Sequence, residues 1–123
     1  MGPNEYQELA GRTLLASPDT TYSPDEIMWV WNATGLAGEA GEVVDHIKKV
    51  VFHRHALDRD KMKKELGDTL WYLTALCTKF GFSLEDVMQA NIEKLKKRYP
   101  NGYNSEDSIS RMDVVNVQNR KAQ

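Results

Sequence analysis

Four carboxylates in two short strings are the residues of this chain best suited to chemistry. Gly35-Leu36-Ala37-Gly38-Glu39-Ala40-Gly41-Glu42 holds one pair, and Lys64-Glu65-Leu66-Gly67-Asp68 holds the other. A spacing of three separates two side chains on a helix by about 60°, so each pair projects from one stripe. No lysine follows any of the four at i+4, where Val43, His46, Thr69 and Tyr72 stand instead. Clustered acids without cations repel or take up protons, and a bound divalent ion removes that cost. Oxygen ligands alone suit Mg²⁺, Mn²⁺ or Ca²⁺ rather than zinc. Two acids from each of two antiparallel helices can hold Mg²⁺ at their seam. Mg²⁺ shares its shell with substrate phosphates, so the chemistry expected is hydrolysis of a phosphoanhydride.

Acid pairs on amphipathic helices are ordinarily just solvated faces. Two further features weigh against that reading here. Gly35, Gly38, Gly41 and Gly67 lie inside helical patterns, where each costs about 1 kcal/mol relative to alanine. Such residues fit where a backbone or ligand must come close. The acids also have strongly apolar neighbours: Leu36, Ala37, Ala40, Val43 and Val44 around one pair, Leu66, Leu70, Trp71 and Leu73 around the other.

The elements that must position these groups are helices. Tyr6, Leu9, Ala10 and Thr13 give helical spacing from about Glu5 to Leu15, and Ala16 to Tyr22 reads as a loop. Ser23 offers an N-cap, Pro24 suits the first helical position, and Asp25 and Glu26 complement the dipole. The apolar period then runs through the glycines to Val50 or Val51, which predicts one long helix rather than two. A third helix is expected over Asp60 to Phe80 with Gly81 at its C-terminal cap. Ser83 and Asp86 resemble a capping box that opens a fourth, which must end near Tyr99 before Pro100. Alternating strand pattern is absent, so the fold class is all-α. Beyond Gly102 the chain is polar, and residues 104–123 are expected to be a mobile tail or an arm against a second subunit.

The 123 residues fit one domain, and a hydrophobic fraction of 41% is that of a globular protein. A net charge of −2 gives no electrostatic footprint for a nucleic acid polymer or an anionic membrane. No apolar run approaches the roughly 20 residues that span a bilayer, and no signal peptide is visible. Cys77, the single cysteine, lies at helical spacing from Leu73 and Phe80 and reads as a packed core thiol. Without a disulfide framework the expected location is cytoplasmic.

At these residues the chain resembles the MazG family of nucleotide pyrophosphohydrolases. The resemblance is carried by Glu39-Ala-Gly-Glu42 and Glu65-Leu-Gly-Asp68 with 22 residues between, then by Thr69-Leu-Trp-Tyr72, Asn91-Ile-Glu-Lys94 and Arg98-Tyr99-Pro100. It covers residues 5 to 103, so the domain expected is 1–103. It implies a four-helix bundle completed by homo-oligomerisation, as a homodimer or homotetramer. It also implies Mg²⁺-dependent hydrolysis of (deoxy)nucleoside triphosphates to monophosphate and pyrophosphate, in nucleotide-pool house-cleaning. Glu39, Glu42, Glu65 and Asp68 would ligate Mg²⁺, for which Mn²⁺ is a substitute, and one of the first pair would activate water.

Tyr72, one turn past Asp68, can hydrogen-bond a phosphate or sugar, or serve as an amphipathic core residue. Asn91, Lys94 and Arg98 form a stripe on the fourth helix that could grip the triphosphate, or complement the helix dipole. An indole such as Trp29 could stack a base and Asn32 could read its edge, although packing is the commoner use of tryptophan. Lys48, Lys49, Lys61 and Lys64 read mostly as solvated surface, and His46, His53 and His55, which fit no zinc spacing, as surface or loop residues. Two other readings compete. One is a relative acting on dUTP or phosphoribosyl-ATP. The other is a non-catalytic helical dimeric interaction module with a structural cation.

Overall fold

The computed structural model describes residues 1–14 and 21–114. It contains α1 (Pro3–Gly11), α2 (Pro24–Phe52), α3 (Arg59–Phe80), α4 (Leu84–Arg98) and α5 (Ser105–Ser110), with no strand among the described residues. The chain is all-α.

The long helix α2 begins at a complete capping box. The Glu26 amide donates to the Ser23 hydroxyl at 3.1 Å, and the Ser23 amide donates to the Glu26 carboxylate at 2.9 Å. Pro24 occupies the first turn, where its missing N–H costs nothing. The three glycines do not break α2, which runs unbroken for 29 residues. Packing along the seam with α3 offsets their low helix propensity. The helix stops at His53, and Arg54 follows in the left-handed region at φ 59°.

Asp58 caps α3 by accepting the Lys61 amide at 2.8 Å. Gly81 ends α3 at φ 71°, a conformation glycine adopts without steric cost. The Phe82 amide then donates to the Cys77 carbonyl and the Gly81 amide to that of Thr78, which satisfies the last carbonyls. Ser83 caps α4 through the Asp86 amide at 3.4 Å.

The extensive helix packing among the described residues is α2 against α3. Gly35 meets Tyr72 while Glu39 meets Glu65 and Asp68, the order of an antiparallel hairpin. Cys77 is buried in it, as its spacing predicts. Broad apolar faces stay open elsewhere: Trp31, Val44, Leu70 and Trp71 on the hairpin, Met88 and Ile92 on α4. No helix among the described residues is long and apolar enough to cross a membrane.

The structure departs from the expected pattern at both ends. The first helix stops at Gly11, and Arg12, Thr13 and Leu14 continue in tighter turns bonded to the third carbonyl back. The expected loop from Ala16 lies largely outside the described residues. Part of the polar tail is folded, since Asn104 caps α5 by accepting the Asp107 amide at 2.8 Å. Residues 115–123 of that tail lie outside the described residues.

Candidate metal and phosphate site

Carboxylate oxygens of Glu39, Glu65 and Asp68 all lie within 4.8 Å of one another, across the α2–α3 seam. Glu39 and Glu65 are half-buried and Asp68 is exposed. Partial burial, joined by the charges of Asp68, Glu65 and Glu42, holds the Glu39 carboxyl above the usual glutamate range. Such a group resists ionisation until a cation arrives. Glu42 stands outside this cluster of three, although its charge reaches Glu39. Three of the four acids predicted from the sequence are therefore drawn together, and the fourth sits one turn along.

Glu39 and Asp68 line a small open pocket with Trp71 and Tyr72. Tyr72 is thus at the acids, as its spacing predicts. Trp71 was legible by the same signal, standing three residues past Asp68, but its neighbours read as packing. The two rings meet edge to face, with centroids 5.0 Å apart at 89°.

A larger open cavity of about 850 Å³ lies toward the start of α2, lined by Tyr22, Glu26, Ile27, Trp29, Val30, Trp31, Thr34 and Gly35. Its size falls within the range of small-molecule sites. Trp29 lines it while stacking on Phe80 with centroids 4.9 Å apart, so packing and cavity share one indole. The Trp29 Nε1 is buried with no hydrogen-bond partner.

Other predicted residues are placed differently. Asn32 is 4% exposed, and its amide donates to the Met28 carbonyl at 2.7 Å. It does not line the cavity. Asn91 and Lys94 are exposed on α4 and do not line the pocket at Glu39 and Asp68. Arg98 is turned to Asp113, which it grips with two hydrogen bonds. That pair removes Arg98 from the free cations of the helix stripe.

His46 is buried, not the surface residue expected. It follows Glu42 by one turn on the face toward α3, and its Nε2 has no partner. Lys48 and Lys49 both engage Asp45, whose carboxyl their hydrogen bonds pull down to about 2. Gly35 meets the close neighbour that the glycine pattern suggested, the Tyr72 ring, whereas Gly38, Gly41 and Gly67 face open space.

A protein of Mycobacterium phage L5, named gene 37 protein, is 36% identical over 98 residues, 72% of this chain and 86% of its own length. The Bacillus subtilis (strain 168) protein named uncharacterized protein YvdC is 33% identical over 73 residues, 52% of this chain and 69% of its own. No solved structure matches. The family described as MazG nucleotide pyrophosphohydrolase domain matches residues 31–103, which contain all four acids, Tyr72, Asn91 and Lys94. With that span covering more than half of the chain, the protein belongs to the MazG nucleotide pyrophosphohydrolase family.

Proposed function

We propose that this protein hydrolyses (deoxy)nucleoside triphosphates between the α and β phosphates, releasing monophosphate and pyrophosphate, with Mg²⁺ as cofactor. The observation that carries this reading is the meeting of Glu39, Glu65 and Asp68 oxygens within 4.8 Å across two helices. The donor set fits a hard dication: all ligands are oxygens, and their mutual repulsion is what a cation would relieve. Glu39, Glu65 and Asp68 would hold the ion, which when bound neutralises phosphate charge and acidifies water for in-line attack.

The chain's own residues supply the rest. Glu42, outside the cluster but within reach of its field, is the group left to take the proton from the attacking water. Water oxygen bonds to the α phosphorus, the bond to the bridging oxygen breaks, and its electron pair leaves with pyrophosphate. The Tyr72 hydroxyl at the pocket wall donates to a phosphate or sugar oxygen. The cavity at Trp29 has the size and apolar walls to take a base.

Asn91 and Lys94 require a second copy in this reading, because α4 does not pack extensively on the hairpin within one chain. The open apolar faces of α2, α3 and α4 support a homodimer or homotetramer. Removal of unwanted nucleotides from a cytoplasmic pool is the role that follows.

Those same apolar faces are what an interaction module with a structural cation would show. Pyrophosphate release separates the readings. With Mg²⁺ we expect turnover of at least one member of a panel of normal and modified (d)NTPs, dUTP and phosphoribosyl-ATP, abolished by EDTA. A folded protein that turns over none of them sinks the enzymatic reading.

A further inference from the structure

We propose that Gly35 is a positioning residue that seats the Tyr72 ring at the junction between the acid pocket and the aromatic cavity. The inference rests on the pyrophosphohydrolase reading for its functional consequence, but not for its structural content. Gly35 lies inside α2, which runs from Pro24 to Phe52, far from either cap, so no turn or left-handed backbone explains a glycine there. A Cβ built on it would overlap the Tyr72 ring atoms Cε1, Cζ and Cδ1 of α3. The three other helical glycines near the acids meet nothing within 4 Å. Close approach of a facing side chain is therefore specific to position 35.

The contact joins two open spaces. Gly35 is part of the cavity wall with Trp29, Trp31 and Thr34, and Tyr72 is part of the pocket wall with Glu39, Asp68 and Trp71. A substrate held by its phosphates at the acids extends its nucleoside past this contact to reach the cavity. With hydrogen alone at position 35, the ring packs close against α2. Any side chain there must push the ring away from that helix, and with it the hydroxyl beside the acids. Gly35 touches neither phosphate nor ion, so it acts through Tyr72.

The test compares Gly35→Ala with Gly38→Ala, a matched loss of glycine into open space, in the full chain. Near-ultraviolet circular dichroism reports on the aromatic side chains, the edge-to-face Trp71–Tyr72 pair among them, and the Tyr72→Ala background isolates the contribution of that ring. Gly35→Ala should alter that spectrum, leave Mn²⁺ affinity by calorimetry within about twofold, and raise KM about tenfold, the scale of one lost hydrogen bond, with kcat little changed. Gly38→Ala should leave the spectrum unchanged. In a double-mutant cycle, Gly35→Ala added to Tyr72→Ala should leave the spectrum as it is and raise the thermal midpoint as Gly38→Ala does, by the ordinary helix-propensity gain alone. Should Gly35→Ala fail to fold, folding of the double variant supports the proposal and its failure to fold overturns it. An unchanged spectrum, or an equal effect with Tyr72 removed, also overturns it. Absence of turnover by the wild type overturns the enzymatic reading alone, because spectrum and thermal cycle still decide whether Gly35 seats Tyr72.

Discussion

Arg98 and Asp113 meet in two parallel hydrogen bonds of 2.8 Å each, closing a loop between the end of α4 and the segment beyond α5. The Asp113 side chain is 7% exposed and that of Arg98 19%, so the pair is shielded from solvent. The bonds from Arg98 hold the Asp113 carboxyl below the usual aspartate value of 3.8. A depressed value means that the attachment is fully present above 3.8 and lost as pH falls through the lowered value. We expect Asp113→Asn at neutral pH to free this segment and speed tryptic cleavage after Arg111 several-fold. Turnover should survive, since the pair lies outside the acid site. Unchanged cleavage would show that packing, and not this pair, holds the segment.

The acids should divide by role. Glu65→Gln and Asp68→Asn remove two of the proposed cation ligands, so Mn²⁺ affinity and turnover should fall together. The loss in kcat should be at least about a hundredfold, as expected when several kcal/mol of charge stabilisation disappear. Glu42→Gln should lower kcat while largely sparing Mn²⁺ affinity, because Glu42 lies outside the cluster. Circular dichroism should report intact helices in all three. Equal loss of affinity in Glu42→Gln would make it a ligand instead of the base.

Affinity for the ion should climb with pH. Glu39 binds its proton more tightly than an ordinary glutamate because of partial burial and three acidic neighbours, and that proton competes with the cation. Without ion, the same shift means that folding takes up a proton. Stability therefore falls as pH rises from 4.5 through the raised value. Calorimetric Mn²⁺ titrations from about pH 5 to about pH 7 should show the rise, and Glu39→Gln should flatten what remains. A slope unaltered in Glu39→Gln would assign the competing proton elsewhere.

Exposed apolar faces make a sharp expectation about assembly. Val44, on α2, is 65% exposed amid other open aliphatic residues. Sedimentation velocity should give an integral multiple of 14.0 kDa, at least two. Val44→Glu should shift that distribution toward monomer and lower the thermal midpoint with it, since a chain with so little buried core depends on its partner. A monomer of wild-type stability would contradict the idea.

Much of this molecule is readable along the chain because it is encoded by local chemistry. Ser23 with Glu26, Ser83 and Gly81 mark helix ends by hydrogen bonds that close within a few residues. The acid pairs are visible because a spacing of three on a helix is itself a geometric statement. The Arg98 pairing was not legible, for the complementary reason. Its i+4 relation to Lys94 is local, but its partner is fifteen residues away in polar sequence that carries no helical period.

The residues in order were enough to specify an all-helical chain, its four main helices and the two acid pairs, one at positions 39 and 42 and the other at 65 and 68. Only folding in space decided that Glu39, Glu65 and Asp68 converge while Glu42 stands aside, that His46 and Asn32 go inside, and that Gly35 alone among the helical glycines meets a ring. The rotation of one helix against another settles these points. Rotation depends on how the whole seam packs, and no periodicity within a single helix contains that information.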